Sequence, residues 1–257
     1  MSTYLYGLVG AGHPKKLDDV HGVGSPPAPV RLLLAGEIVA VVSDAPEGLR
    51  AKRRDLLAHE SVLETLCAQG ATLPMRFGVV GDDDDAVVRE IGQRAGEYRD
   101  LLDSLTGHVE INVKAKHHED EVLRQVLLDD PDLRARNERI QAADGGTYEE
   151  RLDFGERVAN AVEQRAAQDS AAVIDYFSGL AHRRHVGAPV GDTFLNVSFL
   201  VDGAEIETFE QAVGSLREQV DWLMDLRVRG PLPPYSFTEI NQLEPHDARP
   251  EPEIAPG

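Results

Sequence analysis

Between Tyr148 and about His182, apolar residues recur every three or four positions: Leu152, Val158 or Ala159, Val162, Ala166, Val173, Phe177 and Leu180. This spacing draws one stripe down a helix of about 35 residues, well beyond the usual globular length. Two readings follow. Part of the stripe serves a partner rather than the protein's own core, or the helix breaks near Gln168-Asp169-Ser170. The spacing alone leaves both open.

Around this helix the chain alternates between strand and helix patterns. Residues 4–9 (YLYGLV), 30–35 (VRLLLA) and 38–43 (IVAVVS) are short, aliphatic and β-branched, and predict strands, with Ala35-Gly36-Glu37 as a hairpin turn. The Gly- and Pro-rich stretch from Gly10 to Pro29 predicts an irregular loop. A helix follows from Ala51 to Gly70, its apolar face drawn by Leu56, Leu63, Leu66 and Cys67. LPMRFGVV (73–80) predicts a strand. Asp82 to Asp85 open a helix with Val87, Val88, Ile91, Ala95, Tyr98, Leu102 and Leu105 in register.

Residues 108–115 alternate strictly, Val109, Ile111, Val113 and Ala115 against His108, Glu110, Asn112 and Lys114, as a half-exposed strand does. Helices are predicted to Asp129 and from Pro131 to the break at Ala143-Asp144-Gly145-Gly146. After the long helix come a strand at 194–201, a helix over 205–226 and a strand at 226–230. LPMRF early and LPPYSF late each look like a Pro-aromatic strand closing one half. The expected class is α+β in two domains, 1–107 and 108–242, the second built of strands plus long helices. The acidic, proline-rich end 243–257 is expected to be a disordered tail.

Charge narrows the partners. Lys and Arg number 26 against 45 Asp and Glu, a formal −19 that repels phosphate backbones and anionic lipid. Nucleic acid and membrane are therefore not expected as partners. No apolar run approaches a membrane span, the start MSTYLYGLVGAGHP does not read as a signal peptide, and the single Cys67 fits a reducing compartment, so the expected location is the cytoplasm.

Catalytic and cofactor patterns fail on inspection. Gly10-Ala11-Gly12 runs into His13-Pro14-Lys15 without the third glycine of a dinucleotide turn, and no GxxxxGK[ST] occurs. His59-Glu60 lacks a second histidine one turn on, where Leu63 stands, and reads as a helix-surface or boundary pair. The cluster His117-His118-Glu119-Asp120 lacks a distant pair to complete a metal site, and Asp82–Asp85 lacks the ligand order of a calcium loop. His182-Arg183-Arg184-His185 is expected to place positive charge at the end of the long helix, the other reading being a docking patch for an acidic partner. Cys67 has no adjacent base, and Arg76 is expected to pair with a carboxylate in a structural role. No enzyme, cofactor or metal is expected. The rival reading is a small-molecule-binding or enzymatic ferredoxin-like protein with Arg76, His117, His118 and Glu119 in a cleft.

YLYGLV, LPMRFG (73–78), the VK of EINVKA, YEERLDFGERVANAVEQR (148–165), FLV and GPLPPYSF (230–237) stand in the order of the gas vesicle accessory family GvpF/GvpL, and the chain resembles its GvpF branch. The resemblance implies a first domain of modified ferredoxin-like fold and no catalytic residues. It also implies a role in vesicle assembly, in which the protein contacts the hydrophobic shell protein GvpA and other accessory proteins and limits premature GvpA aggregation, and it adds the gas vesicle, as a minor component there, to the expected locations. Two positions depart from the family, Leu232 where Trp is common and Ile111 where an aromatic is common. If those aromatics pack internally, Leu232 and Ile111 fill less volume. The residues expected to contact partners are Leu152, Val162 and Phe177 on the long helix, with Tyr235 and Phe237 presented by Pro233-Pro234. The competing reading places the two rings in the core.

Overall fold

A computed structural model describes residues 1–18 and 20–238. The tail expected at 243–257 lies outside the described residues. Two compact units emerge: Met1–Val109 with the described residues from Leu232 on, and Glu110–Pro231. The contacts thus carry residues 232–238 back to the first unit, whereas the sequence division groups them with the second.

The first unit holds β1 (Thr3–Gly10), β2 (Arg31–Ala35), β3 (Ile38–Asp44), α1 (Arg53–Cys67), β4 (Thr72–Pro74), β5 (Val80–Gly81), α2 (Asp84–Gln93) and α3 (Ala95–Leu105). The sheet order is β2-β3-β1-β4, antiparallel throughout, with β5 also on β1. β1 is central, and seven of its eight residues are buried. That is why YLYGLV reads as a continuous apolar run rather than an alternating one. Tyr4, Tyr6, Val9, Val39 and Val41 form one core with Val62 and Leu66 of α1.

A ferredoxin-like β-α-β-β-α-β unit carries a helix in both crossovers. Here α1 joins β3 to β4, but among the described residues no helix lies between β1 and β2. The strand expected over 73–80 is two short strands, because Gly78 takes a φ of 94° and turns the chain between them. The helix expected to continue through 105 is interrupted at Arg94 (φ −116°, ψ 16°), between Gly92 and Gly96, which weaken helix propagation.

The second unit holds β6 (His108–His117), α4 (Glu119–Asp129), α5 (Pro131–Ala142), α6 (Tyr148–Ser178), β7 (Arg183–Val186), β8 (Leu195–Asp202), α7 (Ile206–Val220) and β9 (Met224–Leu232). Its sheet runs β7-β8-β6-β9. The end of α6 and α7 pack on β8. Phe177, Phe199 and Phe209 lie there with ring centroids 4.8 to 5.7 Å apart. α6 is one unbroken helix of 31 residues, so no break occurs at 168–170. Its start is fixed by a capping box in which Thr147 and Glu150 satisfy each other's backbone N–H, and α5 starts on an Asp130 cap. Asp144, Gly145 and Gly146 all adopt positive φ, which reverses the chain between α5 and α6.

Two expectations need correction. The basic run 182–185 does not crown a helix: α6 ends at Ser178, and Arg183–Val186 form the exposed edge strand β7. The segment expected as a closing strand at LPPYSF is a 3-10 turn, Tyr235–Phe237. Pro233 and Pro234 lack the N–H groups a ladder would need.

Candidate functional site

The stripe on α6 divides along its length. Val173 and Phe177 are buried, Phe177 completely, because they meet the sheet and α7. Phe177 is therefore a core residue and not a contact for partners. From Arg134 to Ala172, spanning most of α5 and α6, no residue is buried. Here the stripe comes to the surface: Tyr148 is 72% exposed, Leu152 is 52% exposed, Gly155 and Ala159 are exposed, and Val162 is half-buried. α4 and α5 both pack on α6, yet together they cover only part of the stripe. Residues 131–165 carry six arginines against eight carboxylates, a net −2 out of the chain's −19. The open stripe is thus apolar, ringed by mixed charge and nearly neutral. Arg136 and Arg157 both pair with Asp153 on its flank.

In the first unit, His59 joins two segments that lie far apart in sequence. On α1, Asp55, His59, Val62, Leu63 and Leu66 face inward, whereas Leu56 is 40% exposed. His59 is therefore a core residue, not the surface or boundary position expected, and Leu56 leaves the expected apolar face. Its Nδ1 lies 2.8 Å from the Tyr4 hydroxyl, and its Nε2 lies 3.0 Å from the Met75 carbonyl and 3.3 Å from the Tyr235 hydroxyl. Tyr4 accepts from the Gly78 N–H, which leaves its own proton for Nδ1, and the ring proton then sits on Nε2 and reaches Met75. Burial lowers the His59 pKa from 6.5 to about 4, opposed in part by the Met75 carbonyl, so the ring is neutral. Burial likewise raises the Tyr4 and Tyr6 hydroxyls.

At the rim of this cluster Tyr235 remains 38% exposed, while Phe237 is 1% exposed. Phe237 closes the core and is not presented to a partner as expected. Arg76 is exposed and makes no ion pair or hydrogen bond among the described residues, so the expected carboxylate partner is not there. LPMRFG and the end of GPLPPYSF are thus tied to one histidine.

The remaining polar clusters serve the fold. His117 is bound at 2.8 Å to Asp169, which Arg165 also holds, and its ring stacks on Phe194 at 4.0 Å. Burial works against the Asp169 charge, but the His117 and Arg165 bonds outweigh it and its pKa is lowered. His118 lies 2.9 Å from the Asp221 carbonyl. Among the described residues no three His, Cys, Asp or Glu converge as metal ligands, and no helix is long and apolar enough to cross a membrane. Burial pushes the Cys67 thiol up to about 11, the setting of an inert packed group. Ile111 is 3% exposed and borders a cavity of about 270 Å³ with Phe209, Val213, Gly214 and Val228. A larger side chain at 111 would extend into this pocket.

Comparison with known proteins agrees over nearly the whole chain. The profile of the gas vesicle synthesis protein GvpL/GvpF family matches residues 2–239. Gas vesicle protein F of a Streptomyces species is 47% identical over 239 residues, covering 93% of this chain and all of the relative. The crystal structure of GvpF from Anabaena superposes with a TM-score of 0.79 at 25% identity, covering 93% of this chain and 98% of that one. GvpF from Microcystis aeruginosa gives 0.76 at 25% identity, over 93% and 99%. The α+β architecture with two sheets is that of the GvpF structures, and the chain belongs to the gas vesicle synthesis protein GvpL/GvpF family.

Proposed function

We propose that this gas vesicle accessory protein is a carrier for the hydrophobic shell protein GvpA and other accessory proteins in the cytoplasm, holding GvpA from premature aggregation without nucleotide turnover. The observation that carries this reading is the open stripe of α6, in a helical stretch with no buried residue from Arg134 to Ala172. A hydrophobic subunit in water needs its apolar surface covered until it joins the shell, and an apolar helix face does this without charge. Leu152 and Val162 are the contacts of choice, with Tyr235 as a separate exposed ring on the first unit. The rest of the chain carries −17, which keeps a loaded carrier dispersed.

The test is light scattering of GvpA diluted from denaturant, with and without equimolar carrier, at low and high salt. Suppression that persists at about 1 M salt, where the Debye length is about 3 Å, is expected of apolar contact. Leu152→Asp combined with Val162→Asp should abolish it while leaving the melting temperature within a few degrees. No suppression at all would sink the carrier reading. Suppression that disappears in salt would sink the apolar mechanism.

A further inference from the structure

Among the described residues β2 pairs on one side only, and although α2 packs on one of its faces, the sequence Arg31-Leu32-Leu33-Leu34-Ala35 guards its outer edge weakly. It has no proline, lysine or bulge, and Arg31 is engaged by Asp44 and Asp84. Leu32 is 44% and Leu34 65% exposed. They sit opposite Val41 and Val39, so they extend the face of the sheet that forms the core past its covered part.

The hairpin fixes which backbone groups are unused. Ala35 and Ile38 flank a two-residue loop, with Gly36 at a φ of 67° as a type II′ turn demands at its first central position. The pair flanking such a loop exchanges both hydrogen bonds, and hydrogen-bonded pairs alternate along the ladder. Ala35, Leu33 and Arg31 therefore point their N–H and C=O toward β3. Leu32 and Leu34 point theirs outward, and the same two residues carry the exposed side chains.

We propose that β2 pairs antiparallel with β2 of a second copy of this chain, with Leu33 on the two-fold axis. In that register Leu32 meets the partner's Leu34, and Leu34 meets the partner's Leu32. The two pairs make four main-chain hydrogen bonds and cover all four exposed leucines on one face. Arg31 meets the partner's Ala35, so no like charges oppose each other along the strand. The strand is its own complement in this register, which is the requirement of an isologous interface. Five residues a side form a small interface, so the dimer is weak and reversible. Two copies of −19 repel, and added salt relieves that repulsion, so pairing strengthens as ionic strength rises.

Sedimentation equilibrium of the full chain at about 0.05 M and 1 M NaCl tests this. The mass should rise from 28.1 kDa toward twice that value with salt. Leu34→Lys, which puts a charge on the edge, should weaken association at least tenfold with the melting temperature unchanged. The second arm is Leu33→Cys in a Cys67→Ala chain. Across the axis Leu33 is a non-hydrogen-bonded pair, with Cα atoms about 4.5 Å apart, within disulfide range. Oxidation should give a linked dimer several-fold faster than Val186→Cys in the same background, where the cysteine lies on the other exposed edge strand, β7. A single-copy mass at every salt concentration overturns the proposal. So does a dimer indifferent to Leu34→Lys, equal crosslinking at 186, or capture of a different protein's strand by a chain that stays monomeric.

Discussion

The neutral, buried His59 makes stability depend on pH between about 6.5 and 4. In the unfolded chain a histidine titrates near 6.5, and in the folded protein this ring titrates at about 4. Below pH 6.5 the unfolded state takes up a proton that the folded state refuses. Stability is therefore complete above 6.5, falls as the pH drops, and levels off near 4. At pH 5 the unfolded histidine is mostly charged and the folded one is not, which costs about 2 kcal/mol at about 1.4 kcal/mol per pKa unit. Partly buried His13, also lowered chiefly by burial, adds a contribution of the same sign.

His59→Gln isolates the effect. The amide can accept from Tyr4 and donate to Met75 but does not titrate. It gives up the stacking against Tyr6, whose ring centroid lies 5.6 Å away, at a cost of about 1 kcal/mol. Urea unfolding at pH 7.5 and pH 5 should show the variant weaker by that amount at pH 7.5. Its loss on going to pH 5 should be about 2 kcal/mol smaller than that of the parent, with the slope in urea unchanged. The same pH loss in both proteins would refute the assignment of the window to His59.

Gly214 lies inside α7 on the wall of the cavity beside Ile111, and a Cβ there meets nothing within 4 Å. Gly214→Ala should raise stability by about 0.4 to 1 kcal/mol through the lost entropy of the unfolded chain, read as a higher melting temperature. Arg76→Ala should leave the melting temperature unchanged, within about 0.5 kcal/mol, because its exposed guanidinium has no partner among the described residues. A loss of several degrees would restore a structural role for it.

Elements whose residues carry their own period were legible. β1, β2 and β3 announce themselves by β-branched runs between glycines and prolines, and β6 by alternation. The extent of coverage was not legible. The α6 stripe has the same spacing at Leu152 as at Phe177, yet one is open and the other enclosed, because period fixes a face and not how far its neighbours reach. His59 was missed for a related reason. Asp55, His59, Leu63 and Leu66 recur at helical spacing, but two of the four are polar, so the apolar pattern points through Leu56 instead. Strand Tyr4 and Tyr6 held the signal, since buried hydroxyls need partners. The basic run at 182–185 was misplaced because charge is ambiguous: it suits a helix end, and it equally suits an edge strand that must not pair.

The order of the chain has its own consequence. Residues 110–231 form the second unit between two parts of the first, and the later part supplies Phe237 to a core and Tyr235 to the His59 ring. The first unit is therefore incomplete until the second has been synthesised. Its sheet can form early, since β1 to β5 are complete by Gly81. Its last buried aromatic arrives only after α6 with its open stripe is already present. For a protein whose proposed work is to cover apolar surface on another subunit, this order delays completion of the first unit until the covering helix exists. Because Tyr235 is anchored through its hydroxyl while its ring stays part-exposed, the segment 232–238 seals one unit and still offers that ring at the surface.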